Sequence, residues 1–153
     1  MNELLVKQTK EILQEEDLLA SLCNVASLLY HQNKNLNWLG LYLYKHGELV
    51  LGPFQGKVAC THIPIGKGVC GTSYQKKMLL NVADVSKFEG HIACDSNSKS
   101  ELVIPLIYEN KSYGVLDIDA PILNRFTYED EETFSSIAEL ISKKLATRLM
   151  SLS

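Results

Sequence analysis

The apolar residues of this chain change their repeat twice, near Asn33 and again near Thr127, and this double change narrows the architectures open to it. From Asn2 to about Asn33 they recur at helical spacing. Leu4, Leu5, Ile12 and Leu13 mark one segment, and Leu18, Leu19, Leu22, Val25, Ala26, Leu29 and Tyr30 the next. Asp17 is placed to cap the second helix. Cys23 falls within the second apolar stripe and is expected to be core. Beyond Asn33 the period becomes two. Trp38-Leu39-Gly40-Leu41-Tyr42-Leu43-Tyr44 reads as a strand that turns at His46-Gly47 into Leu49-Val50-Leu51, a hairpin. Val58 to Ile65 reads as a further strand and Met78 to Val82 as a short one. Leu102 to Tyr108 and Tyr113 to Ile118 form a second hairpin across Glu109-Asn110-Lys111-Ser112. The helical period then returns from about Tyr128 to Met150, with Thr127 as N-cap and Asp130 supporting it. The order predicts an α+β domain, residues 1–153 as one unit, with its helices on one face of an antiparallel sheet.

A chain of 153 residues can bury a single core without metal or disulfide support. A net charge of -3 leaves no electrostatic footprint for nucleic acid. Met1-Asn2-Glu3-Leu4-Leu5-Val6-Lys7 lacks the basic start and unbroken apolar run of a signal peptide, and no later stretch is long enough to span a bilayer. A cytoplasmic protein without membrane contact is expected. Four cysteines are too few for a disulfide scaffold; in a reducing compartment they read as free, catalytic, redox-active or metal-binding.

Chemistry concentrates in three places. In Gly114-Val115-Leu116-Asp117-Ile118-Asp119-Ala120 the two aspartates lie two apart and share one sheet face, while Leu116 and Ile118 take the other. Aspartate is a poor strand former, and two like charges side by side repel unless a cation lies between them, either a metal or the ammonium of an amino-acid-like ligand. In Gly66-Lys67-Gly68-Val69-Cys70-Gly71-Thr72 glycines precede a short helix running through Lys77, an arrangement that exposes backbone N–H groups to anions and lowers the pKa of a nearby thiol. The Walker spacing is missing, so this is not a P-loop. Finally, Gly90-His91-Ile92-Ala93-Cys94-Asp95 and the polar run Ser96 to Ser100 put Cys94 on an irregular segment ahead of Glu101. Cys60, Cys70 and Cys94 have His62 and His91 for company. Zinc would ask for at least one closely spaced ligand pair, which is missing, so no metal is expected; redox chemistry needs only that two thiols meet in the fold. Trp38 reads either as a core aromatic or as a wall of an apolar pocket.

The run from Cys60 to Thr72, the segment Gly90 to Asp95 and the strand Gly114 to Asp119 together resemble the free methionine-(R)-sulfoxide reductases, a family built on the GAF domain. The resemblance extends from about Asn37 to the C-terminal helix. It implies a six-stranded antiparallel sheet flanked by N- and C-terminal helices. It also implies that Cys94 is the nucleophile, Cys60 the thiol that resolves it as a disulfide and Cys70 an auxiliary third cysteine. Glu101, Asp117 and Asp119 then hold substrate, with Trp38 in the pocket wall. On this reading a thiolate attacks the sulfoxide sulfur, an acid protonates the departing oxygen, and the resulting sulfenic acid condenses with a second thiol. Thioredoxin serves as reductant, no organic cofactor takes part, and a homodimer through the helical ends is a reasonable expectation. One of the three carboxyls is expected to stay protonated by mutual repulsion.

A rival reading is a ligand-sensing GAF domain without catalysis. Asn110-Lys111, then Phe126, then Asp130-Glu131 resemble the pattern of cyclic-nucleotide-binding GAF domains. Lys111 and Asp130 could equally form an ion pair that fastens the hairpin to the last helix.

Overall fold

The computed structural model describes residues 1–91 and 96–152. Helix α1 spans Glu3–Ile12 and α2 spans Leu18–His31, the latter capped by Asp17, whose side chain accepts from the N–H of Ala20 at 2.8 Å. Strands β1 (Trp38–Lys45) and β2 (Glu48–Gly56) meet at His46 and Gly47, both with positive φ, as a two-residue hairpin turn of matching twist requires. Strand β3 (His62–Pro64), helix α3 (Gly68–Lys76) and strand β4 (Leu80–Val82) follow. β5 (Ser100–Tyr108) and β6 (Lys111–Ala120) then pair across Glu109 and Asn110, again both at positive φ. The turn is therefore two residues shorter than expected, and Lys111 and Ser112 belong to β6.

Helix α4 (Tyr128–Leu152) starts with a reciprocal cap. The hydroxyl of Thr127 accepts from the N–H of Asp130 at 3.1 Å while the Asp130 carboxylate accepts from the N–H of Thr127 at 2.8 Å. Asp130 also pairs with Arg125 at 3.0 Å, whereas Lys111 lies over the ring of Tyr113. The expected Lys111–Asp130 link is thus replaced by one with a nearer arginine.

Among the described residues the strands form one antiparallel sheet in the order β3-β2-β1-β6-β5-β4. Period-two alternation divides it into two apolar layers. Leu39 and Leu41 of β1, Leu102, Ile104 and Leu106 of β5, and Leu116 and Ile118 of β6 pack beneath α1, α2 and α4, with Phe134, Ile137 and Ile141 reaching down from α4. Trp38, Tyr42, Val103 and Val115 face the other way, against Val69 and Cys70 of α3. The helices therefore lie on both faces, because the glycine-rich turn after β3 folds α3 back over the sheet. Gly114 adapts the crossing of β1 and β6: at φ 152° it passes so close that a Cβ there would stand 2.0 Å from the carbonyl oxygen of Tyr42.

Two further expectations change. Cys23 is exposed, because α2 buries Leu22, Val25, Ala26 and Leu29, and the residue after Leu22 lies a hundred degrees further round the helix. The strand expected over Val58 to Ile65 shrinks to His62–Pro64, the three residues that pair with Val50, Leu49 and Glu48 of β2.

Candidate active site

The central strands build one wall of a small cavity from their odd and even positions. In register, Trp38 of β1 lies opposite Asp119 of β6, which lies opposite Glu101 of β5. One step along, Gly40 pairs with Asp117 and Asp117 with Val103. Asp117 and Asp119 thus share a face with Glu101, as alternation requires, and not with the aliphatic residues between them. Gly40 leaves room for the indole of Trp38, since a Cβ at this position would stand 2.7 Å from the ring. The indole N–H donates to the carbonyl of Lys57 at 3.1 Å, and the ring stacks on Phe54 and Tyr42 at centroid distances of 5.4 and 5.8 Å. Its plane is therefore fixed from three sides.

The opposite wall is the opening turn of α3, where Lys67, Gly68, Val69 and Cys70 line the cavity, with Ala59, Ile63, His91 and Ser98 closing the sides. The volume is about 40 Å³, room for about three water molecules. Asn37 ties the start of β1 to this rim through its amide, which donates to the hydroxyl of Ser98 at 3.0 Å.

All three carboxyls are buried, at 6% exposure for Glu101 and Asp117 and 9% for Asp119. Burial in low dielectric disfavours their charged forms. Glu101 is pushed well above the usual carboxylate range, first by burial and then by the charges of Asp117 and Asp119. Asp117 is also raised by burial, but hydrogen bonds from Glu101 and Cys70 and the proximity of His91 oppose the rise. The Cys70 thiol lies 3.9 Å from Glu101 Oε2 and is buried, so its pKa is raised by desolvation and by the neighbouring acids. This reverses the expectation that the start of α3 would lower it: burial first, and then the neighbouring carboxyls, raise it. One oxygen of Asp117, Oδ1, is buried without a hydrogen-bond partner.

Trp38, Cys70, Glu101, Asp117 and Asp119 thus surround one cavity. Cys60 is half-buried just before β3 and is disulfide-bonded, while Cys23 and Cys70 are free. Cys94 lies outside the described residues. His62 points outward, pairing with Glu48 on the sheet edge at 3.0 Å, whereas His91 reaches the cavity rim. Sequence reasoning missed Tyr42. Its place four residues after Trp38 on the same strand face was the available signal. Its phenol is buried in the cavity wall, and burial together with the charge of Asp117 raises its pKa far above the ordinary value.

Residues 11–145 match the GAF domain family profile. The chain is 48% identical over 133 residues to the free methionine-R-sulfoxide reductase of Escherichia coli K12, covering 87% of this chain and 81% of that protein. Its fold superposes on the reduced form of the fRMsr of Staphylococcus aureus with a TM-score of 0.89, at 50% identity and covering 94% of each chain. The free methionine-R-sulfoxide reductase of Neisseria meningitidis, solved in complex with its substrate, superposes with a TM-score of 0.91 at 37% identity, covering 96% of this chain and 89% of that one. No described helix is long and apolar enough to cross a membrane.

Proposed function

Because the chain belongs to the free methionine-R-sulfoxide reductase family of GAF domains, we propose that it reduces free L-methionine-(R)-sulfoxide to L-methionine through a cysteine sulfenic acid and a disulfide. The observation that carries this reading is the buried group of Glu101, Asp117 and Asp119 around one cavity with Trp38. A free amino acid brings an ammonium that these carboxyls can hold. A methionine within a polypeptide offers only an amide, and would leave buried charge uncompensated. The opening turn of α3 suits the substrate carboxylate, since backbone N–H groups at a helix start favour anions. Trp38 and Tyr42 supply the apolar wall for the methyl-sulfoxide end.

In the reaction the Cys94 thiolate attacks the sulfoxide sulfur. Glu101, whose pKa burial and the neighbouring acids raise, is the acid that protonates the oxygen, which stays with Cys94 as a sulfenic acid when methionine departs. The Cys60 thiol then displaces that oxygen as water, and the two sulfurs are joined. Support for the second step comes from Cys60 being disulfide-bonded while Cys23 and Cys70 are free. Cys70 is auxiliary: its buried, raised thiol suits it to hydrogen bonding with Glu101 and Asp117 more than to attack. A thioredoxin-type dithiol of the cytoplasm returns the pair to thiols. Self-association would use the helical ends, where an apolar groove between α2, the first hairpin and α4 leaves Leu19 and Tyr44 exposed.

The deciding test incubates reduced protein with free L-methionine-(R)-sulfoxide and dithiothreitol and follows methionine. Methionine is expected from the wild type and none from Cys94→Ser, and a peptide-embedded sulfoxide should survive. A wild-type protein that forms no methionine yet binds a cyclic nucleotide by calorimetry would establish the sensor reading instead.

A further inference from the structure

We propose that the acid end of the cavity also binds a thiophilic divalent cation of the zinc class, held by Cys70 and one carboxylate oxygen each from Glu101 and Asp117. Ligand atoms of these three residues lie within 4.8 Å of one another, and all three residues are buried. A second observation points to a cation independently of this grouping. Asp117 Oδ1 is shut away from solvent with no hydrogen-bond partner, on a residue that lines the cavity. A buried carboxylate oxygen in this condition carries a desolvation cost that a bound cation would offset.

The donor set fits the ion. Zinc takes sulfur at about 2.3 Å and carboxylate oxygen at about 2.0–2.2 Å, so a tetrahedral site needs the two donors about 3.5 Å apart. The Cys70 Sγ to Glu101 Oε2 distance is 3.9 Å, which a movement of a few tenths of an ångström closes. Thiolate with carboxylates favours zinc or cobalt over magnesium or calcium, which prefer oxygen alone. Binding displaces the protons of Cys70 and Glu101 to solvent, and the cavity has room for the ion and a water in its fourth position. The three ligands are remote in sequence, Cys70 and Glu101 being 31 residues apart, so ligand spacing along the chain could not reveal them. Neither Cys60 nor Cys94 is among the three ligands. Its consequence for function rests on the reading above: the cation takes the seat of the substrate ammonium and excludes the amino acid.

The experiment titrates the reduced full chain with cobalt(II) and follows thiolate-to-cobalt charge-transfer absorption. One equivalent is expected to bind in the wild type and in Cys23→Ser, to be displaced by zinc, and to show no charge-transfer band in Cys70→Ser. Asp117→Asn, which keeps the shape of the side chain, should weaken cobalt binding at least about tenfold. Absence of the band in the wild type, its persistence in Cys70→Ser, or an unchanged affinity in Asp117→Asn each overturns the site; the last applies even if Cys70→Ser does not fold. Free methionine should raise the apparent Kd for cobalt. Cobalt binding that methionine leaves untouched upholds the metal site and overturns the shared seat, and with it the assignment of the acids to the ammonium.

Discussion

The phenol of Tyr42 donates to the backbone carbonyl of Cys60 at 2.9 Å, joining a central strand of the sheet to the segment that carries the bonded cysteine. Tyr42 is fixed by the stack with Trp38, so a substrate wall and the position of a reactive sulfur depend on the same ring. Tyr42→Phe keeps the ring and removes the tether. Methionine formed in the first turnover should be unchanged, while disulfide formation, followed by loss of free thiol in rapid-quench samples, should slow by about tenfold, the rate equivalent of one hydrogen bond of about 1.4 kcal/mol. Equal slowing of both steps would assign the hydroxyl to the chemistry of the sulfoxide.

Removal of the second thiol separates the two half-reactions. Cys60→Ser, mixed with excess sulfoxide and no reductant, should release one equivalent of methionine and hold Cys94 as a sulfenic acid that a dimedone probe captures by mass. Wild type should release one equivalent and be inert to the probe. Capture on Cys70 instead would exchange the roles of the cysteines.

Glu101→Gln tests this carboxyl through stability and rate together. The folded pKa of Glu101 is raised above its ordinary value of 4.5, so the unfolded state loses its proton at lower pH than the folded state does. The neutral carboxyl therefore contributes stability in full below pH 4.5, and that contribution falls as pH rises towards the folded value. Urea titrations at pH 5 and pH 8 should find that Glu101→Gln gains on the wild type as pH rises. Methionine formation should fall by about a hundredfold or more, the usual contribution of a general acid.

Gly114→Ala should be among the most damaging small substitutions. The added Cβ would meet the carbonyl oxygen of Tyr42 at 2.0 Å, at a backbone φ that side chains rarely adopt. A loss of more than about 3 kcal/mol is expected in denaturant unfolding, against about 1 kcal/mol for Thr127→Ala, which removes only the helix cap.

Much of this was legible because it is local. Asp17, Thr127 with Asp130, and His46-Gly47 act on backbone a few residues away, so each works as its residue type suggests. The common face of Asp117 and Asp119 followed from strand alternation alone. What escaped depended on neighbours remote in the chain. Cys23 sits one position off the buried stripe of α2, a distinction that appears only once the stripe meets the sheet. The length of β3 is set by its pairing with Glu48, Leu49 and Val50 of β2, and Asp130 pairs with Arg125, which is nearer in the chain than Lys111. The thiol of Cys70 was misjudged for the same reason: its helix was visible in the sequence, but its burial and the carboxyls across the cavity were not.

The division of the sheet into two layers makes the spacing of β6 unforgiving. Leu116 and Ile118 look towards the helices while Asp117 and Asp119 look towards the cavity. A single-residue insertion between Gly114 and Asp117 would invert that assignment for the rest of the strand, burying two carboxylates among leucines and emptying the cavity of its acids. Substitutions in this segment can trade one side chain for another, but its length cannot drift, and fold and catalyst would be lost in the same step.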